Sequence, residues 1–167
     1  MSNPLLPRWT GPYGGVPPFD QVKVEHFGPA LDAAMAEHLA EIEAIAADPA
    51  PATFENTIAA MERAGRTLDR VDRVYSVFSS TMRSAAFQDV EREMEPKLAR
   101  FRDRIVQNEK LFERISAVYE ARERSGLTLE QQRLAWLKYN DFARSGARLA
   151  AAAKERLSAS TFWLNPV

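Results

Sequence analysis

The chain contains two imidazoles, His26 and His38, twelve positions apart. On one straight helix that spacing puts them roughly 18 Å apart along the axis and about 120° around it. One metal ion cannot join them. Position i−3 is Lys23 for one and Met35 for the other, so the Glu-x-x-His arrangement of di-iron bundles is absent. His38 and Glu41 form an i,i+3 pair, but two ligands do not complete a site. Both histidines are therefore expected to be structural or surface residues. With no cysteine at all, disulfides, thiolate zinc sites and thiol nucleophiles are excluded. No Gly-x-Ser-x-Gly elbow is present, and no serine has an evident histidine base. Gly11-Pro12-Tyr13-Gly14-Gly15 is glycine-rich, yet it follows no strand and lacks the lysine of a phosphate loop.

Arginine is the remaining chemistry. Arg63, Arg66, Arg70 and Arg73 fall within about 80° of arc if one helix carries them. Glu62 precedes Arg66 by four residues and Asp69 precedes Arg73 by four, which supports i,i+4 pairing. Two readings stand side by side. One is a solvated, salt-bridged face. The other is a rim for the carboxylate or acidic groups of a peptide.

What must position these residues is one helical domain. The 167 residues suffice for a single core. Basic and acidic side chains number 22 and 23, net −1, without the basic excess of a nucleic-acid-binding domain. Residues 1–58 carry two basic and eight acidic side chains, and the remainder carries 20 and 15. Complementary helical faces of one bundle are the expected outcome, with an anion-facing arginine surface as the sharper alternative. No uncharged run approaches the 20 apolar residues of a membrane span, and the first residues do not read as a secretory signal. The expectation is a soluble, cytoplasmic protein with no nucleic-acid or membrane partner.

Residues 1–22 are dense in Pro and Gly but also hold Leu5, Leu6, Trp9, Tyr13 and Phe19. They read as an extended arm packed on the core, with Trp9 and Phe19 between helices. Residues 23–157 read as helical. One helix starts near Gly28-Pro29, carries Leu31, Met35, His38, Leu39, Ile42 and Ile45, and ends at Asp48-Pro49. Thr53 is the N-cap of the next, whose stripe runs Ile58, Met61, Leu68, Val71, Tyr75, Phe78, Met82, with Gly65 a soft point. A third carries Phe87, Val90, Met94, Leu98, Phe101 and Ile105, with a bend or break expected at Pro96. A fourth spans Leu111 to Tyr119 and ends near Gly126. Thr128-Leu129-Glu130-Gln131 is a capping box opening a fifth, with Leu134, Trp136, Leu137, Tyr139 and Phe142. Gly146 interrupts it before an alanine-rich segment. The fold class is all-α, a bundle of five to six helices with an extended Pro/Gly-rich arm.

Particular words along the chain go further. Asn3-Pro4-Leu5-Leu6, Trp9, Val16-Pro17-Pro18-Phe19, Glu25-His26-Phe27 and Ala34-Met35-Ala36-Glu37-His38 are followed by Thr53-Phe54-Glu55-Asn56-Thr57-Ile58. Later come Pro96-Lys97-Leu98-Ala99, Leu111-Phe112, Gly126-Leu127, Glu130-Gln131 and Arg156-Leu157. Together they resemble the N-terminal helical region of bacterial M3 zinc metallopeptidases, the thimet oligopeptidase-like family. Within it the peptidyl-dipeptidase type is nearest and the oligopeptidase A type second.

The resemblance implies a neurolysin-like N-terminal domain that forms one wall of a deep channel admitting short peptides. It also implies that zinc lies elsewhere, on a His-Glu-x-x-His helix of a later catalytic domain. Here Phe27 follows His26 and Leu39 follows His38, so neither opens that motif. No catalytic or metal-binding residue of the family transfers to this chain, and no cofactor is expected in it. The implied partners are the M3 catalytic domain and short peptides. Residues 158–167 depart from the family pattern and read as a tail that docks on the domain or self-associates. The alternatives from other classes are a stand-alone helical module binding peptides or proteins, and an inert truncated product.

Overall fold

Short polar side chains set the helix starts. The computed structural model describes residues 3–10 and 15–146. In it, Thr53 Oγ1 accepts the Asn56 N–H at 3.1 Å while the Asn56 side chain accepts the Thr53 N–H at 2.7 Å. Thr128 and Gln131 make the same exchange at 3.2 and 3.0 Å. Each capping box satisfies two donors that a helix start would leave bare. Asn108 accepts the Leu111 N–H at 3.0 Å and opens another helix in the same way.

The elements, in order, are a 3-10 turn Val24–His26, α1 Phe27–Ala47, a π turn Phe54–Ala59, α2 Ala60–Arg63, α3 Arg66–Thr81, α4 Ala85–Val106, α5 Glu109–Ala121 and α6 Leu129–Arg144. No strand occurs among the described residues, and the fold is all-α as expected. Two local expectations change, and the expected helix start near Gly28-Pro29 holds. The helix expected from Thr53 to Met82 is three pieces: the π turn, then α2, then α3 beyond a left-handed Gly65 at φ 74°. α4 passes Pro96 without a break, with the Arg100 Nε–H donating to the Pro96 carbonyl at 3.1 Å. Helix α1 begins two residues before Pro29, which sits in its first turn. The alanine-rich segment and the tail at 158–167 lie outside the described residues.

The chain divides into two compact units. The first is Met1–Glu41 with Ala64–Phe101. Its centre is Phe27, fully buried, whose ring meets Tyr75, Phe78 and Phe87 edge-on at 4.8–5.8 Å. Edge-to-face contacts of this kind add about 0.5–1.5 kcal/mol each beyond area burial. Leu31, Val71, Val74 and Met94 are also buried. The arm contributes Leu5, at 0% exposure. Asn3 Nδ2 donates to the His26 carbonyl at 2.7 Å and so fixes the arm's start. Trp9 is half-buried, whereas Phe19 is 45% exposed, so the arm's anchor is Leu5 and not Phe19.

The second unit is Ile42–Arg63 with Arg102–Val167. The π turn, α5 and α6 meet in it, burying Ile58, Leu111, Ile115, Val118, Ala135 and Phe142. Tyr119 stacks on Tyr139 at 4.1 Å, and the Arg122 guanidinium lies 4.1 Å above the Tyr119 ring. Arg114 clamps the turn after α1. Its Nη1 donates to the carbonyls of Asp48 and Ala50 at 2.7 and 2.9 Å, and its Nη2 to the Asp48 carboxylate at 3.3 Å.

The uneven charge resolves inside the units. Asp32 takes Lys97 at 2.8 Å, Glu43 takes Arg104, Asp48 takes Arg114 and Glu55 takes Arg63. Acids of the first third thus meet bases from later in the chain. Most of these pairs are exposed and contribute at most about 1 kcal/mol each. Their more important effect is to fix which helices lie side by side.

Candidate functional site

The arginines singled out by spacing do not form one row. Arg63 ends α2 in the second unit, and the Gly65 break separates it from α3. Its Nη1 pairs with Glu55 at 2.8 Å and its Nη2 donates to the Glu55 carbonyl at 3.3 Å. Arg70 is half-buried and turned toward the arm. Its Nη2 donates to the Leu6 carbonyl at 3.2 Å and to Thr67 Oγ1 at 3.3 Å, and its Nη1 to the Arg66 carbonyl at 3.3 Å. That guanidinium is spent on holding the arm. Arg66 and Arg73 are exposed, and neither guanidinium has a partner among the described residues. They lie seven residues apart, within about 20° on α3, with Val77 four further on and 41% exposed. The outward face of α3 therefore carries two guanidinium groups without a side-chain partner among the described residues, with Val77 and the exposed Asp69 beside them.

The histidines sit elsewhere in the first unit. Backbone N–H of Lys23 donates to His26 Nδ1 at 3.0 Å, which uses that lone pair in the 3-10 turn. The His38 ring lies 5.4 Å from Phe101, with its Nδ1 buried and unpartnered. Burial holds the His38 pKa below the ordinary histidine value, against the opposing carboxylates of Glu41 and Asp69. The Glu41 carboxylate is committed to the Gly65 N–H at 2.6 Å. These residues do not fit a zinc site: one imidazole nitrogen is already an acceptor, and the nearby carboxylate serves a turn. No group of three or more metal-ligating side chains occurs among the described residues.

A cavity of about 340 Å³ opens in the second unit between the π turn, α5 and the start of α6. Ala52, Phe54, Val118, Ala121 and Leu127 line it with Thr53, Glu55, Ser125 and Gln131. Its polar groups are already engaged. Thr53 and Gln131 serve the capping boxes, Ser125 Oγ donates to the Ala121 carbonyl at 2.7 Å, and Glu55 pairs with Arg63. No nucleophile with a base faces it. The described residues thus supply binding surface and no assembled catalytic group.

No catalytic group is assembled among the described residues, and likeness to other proteins is the remaining guide. The chain is similar to bacterial dipeptidyl carboxypeptidases. It is 37% identical to that of Escherichia coli over 155 residues, covering 93% of this chain and 23% of the relative. The Salmonella typhimurium protein of the same name is 35% identical over the same shares. Oligopeptidase A of Salmonella typhimurium is 26% identical over 93% of this chain and 22% of its own length. The chain spans less than a quarter of the curated relatives it matches. No protein-family profile matches it. The two kinds of relative are the two peptidase types of the M3 resemblance, and the similarity runs nearly the whole length of the chain. No helix among the described residues is long and apolar enough to cross a membrane.

Sequence reasoning missed the exposed face of α6. Trp136 and Leu137 read as core by type, but they are 43% and 37% exposed, and Leu129 is 83% exposed. Apolar residues run around most of that helix, so periodicity alone could not choose the inner face.

Proposed function

We propose that this chain is the non-catalytic N-terminal helical domain of an M3-type zinc peptidase that hydrolyses short oligopeptides, one wall of its substrate channel. The observation that carries the reading is the pair of shares: 93% of this chain matches about 23% of a peptidase. The chain also lacks any His-Glu-x-x-His, so zinc and the hydrolytic step belong to the other three quarters of such a protein. In this reading Arg66 and Arg73 face the channel and attract peptide carboxylates, while Val77 accepts apolar side chains. Arg70 supports the rim by holding the arm at the Leu6 carbonyl. The protein works in the cytoplasm.

The second reading, a stand-alone peptide- or protein-binding module, draws on the same guanidinium groups of α3. One experiment separates the two. Purified chain is assayed on a quenched short peptide with added zinc, and peptide binding is measured in parallel. The domain reading expects no turnover and weak binding. Tight, Arg73-dependent binding by the chain alone favours the module. Chelator-sensitive turnover at an enzyme-like rate contradicts both.

A further inference from the structure

Helix α6 has two faces. One is spent inside the second unit: Ala135 and Phe142 are buried, and Lys138 pairs with Glu62 at 2.5 Å. The other presents Leu129, Arg133, Trp136 and Leu137, which fall within about 100° of arc. The three apolar side chains on it are 83%, 43% and 37% exposed, and Arg133 has no side-chain partner among the described residues. Asn140, one turn on, turns its amide back to the Trp136 carbonyl at 2.8 Å. A tryptophan flanked by leucines and an arginine has the composition of an interface centre rather than of ordinary surface. Contiguous apolar patches on soluble proteins mark contact sites.

The relatives indicate what meets it. In each of them about three quarters of the polypeptide lies outside the part this chain matches, and that polypeptide is available to cover the face. We infer that the Leu129–Arg133–Trp136–Leu137 face of α6 is the docking surface for the catalytic part of an M3-type peptidase. This rests on the reading of the chain as an N-terminal domain of such an enzyme. It adds the residues that join the two parts. The seat is an apolar one centred on Trp136, with an acidic group opposite Arg133.

The chain has no cysteine, so an introduced thiol reports on one position alone. Leu129→Cys and Leu137→Cys, with Lys110→Cys as an exposed reference, are each made in the full chain. The same variants are made in a chimera where this chain replaces the matching first quarter of the Escherichia coli dipeptidyl carboxypeptidase. Alkylation at each site is followed by peptide mass. The α6 thiols should react about tenfold or more slowly in the chimera than in the chain alone, as expected where an interface core excludes water. Lys110→Cys should react equally in both.

An active chimera with fully reactive α6 thiols overturns this inference and leaves the domain reading standing. A folded but inactive chimera overturns the domain reading, and the inference falls with it. Thiols already slow in the chain alone mean that residues 147–167 or a second copy cover the face, and the assignment to a catalytic part is then wrong. Light scattering tells those two apart.

Discussion

The His38 ring lies against Gly65: a Cβ built on that glycine would stand 2.5 Å from the imidazole Cε1 and Nδ1. The backbone there is left-handed, at φ 74°, and its N–H is held by Glu41 at 2.6 Å. A helix face of α1 thus shapes the turn that opens α3.

Gly65→Ala should therefore destabilise the protein through two additive causes. The left-handed backbone costs a residue with a Cβ about 1–2 kcal/mol, and the imidazole must move as well. A fall in melting temperature of several degrees is expected, at about 2–4 °C per kcal/mol for a chain of this size. An unchanged melting temperature would show that the turn relaxes freely.

Acid should weaken the same corner. Burial lowers the His38 pKa in the folded protein. The unfolded chain then binds more protons than the folded one from about pH 6.5 downward, until the folded pKa is passed. Stability from this residue is fully present above that window and is lost as pH falls through it. Comparing thermal unfolding of the wild type and His38→Gln between about pH 7.5 and pH 5 isolates the contribution, because the carboxylates titrate in both. The wild type should lose more stability on acidification. Parallel curves would mean that His38 titrates normally.

The arm is held by Leu5 and the Arg70 contact to the Leu6 carbonyl, not by Phe19. Leu5→Ala should cost about 2–4 kcal/mol, as for other fully buried leucines. Phe19→Ala should cost much less, since 45% of that side chain's residue surface is already in water. Urea titration of both variants checks the order. The reverse ranking would show that the arm is anchored by its aromatic end.

On α3, Arg73→Ala should leave melting unchanged, because its guanidinium has no partner among the described residues. In the chimera described above it should raise KM for a peptide with a free carboxylate, with kcat little changed, as for lost uniform binding. An equal KM for that peptide and its C-terminal amide in both proteins would remove the rim from the account.

Much of this is legible in the sequence, and the division is physical. The capping boxes at Thr53 and Thr128 depend on residues three apart, so the sequence exposes them. The buried stripe Val71, Tyr75, Phe78 follows helical spacing. The interruption at Gly65 was visible only as a soft point, because Glu41 and His38, more than twenty residues earlier, decide it. The four arginines looked like one row for the same reason. Arg63 was lost to that break, and Arg70 turned to a carbonyl 64 residues away. Pro96 reads as a bend or break, and α4 runs through it without a break. The choice of inner face on α6 needed its neighbours, which bury Ala135 and Phe142 rather than Trp136.

The most direct test of the central claim is peptidase activity of the chimera beside that of the chain alone. The account predicts a folded chimera with chelator-sensitive cleavage of short peptides comparable to the Escherichia coli dipeptidyl carboxypeptidase, and none from the chain alone at any zinc concentration. A folded chimera without activity, or chelator-sensitive turnover by the chain alone, would contradict it.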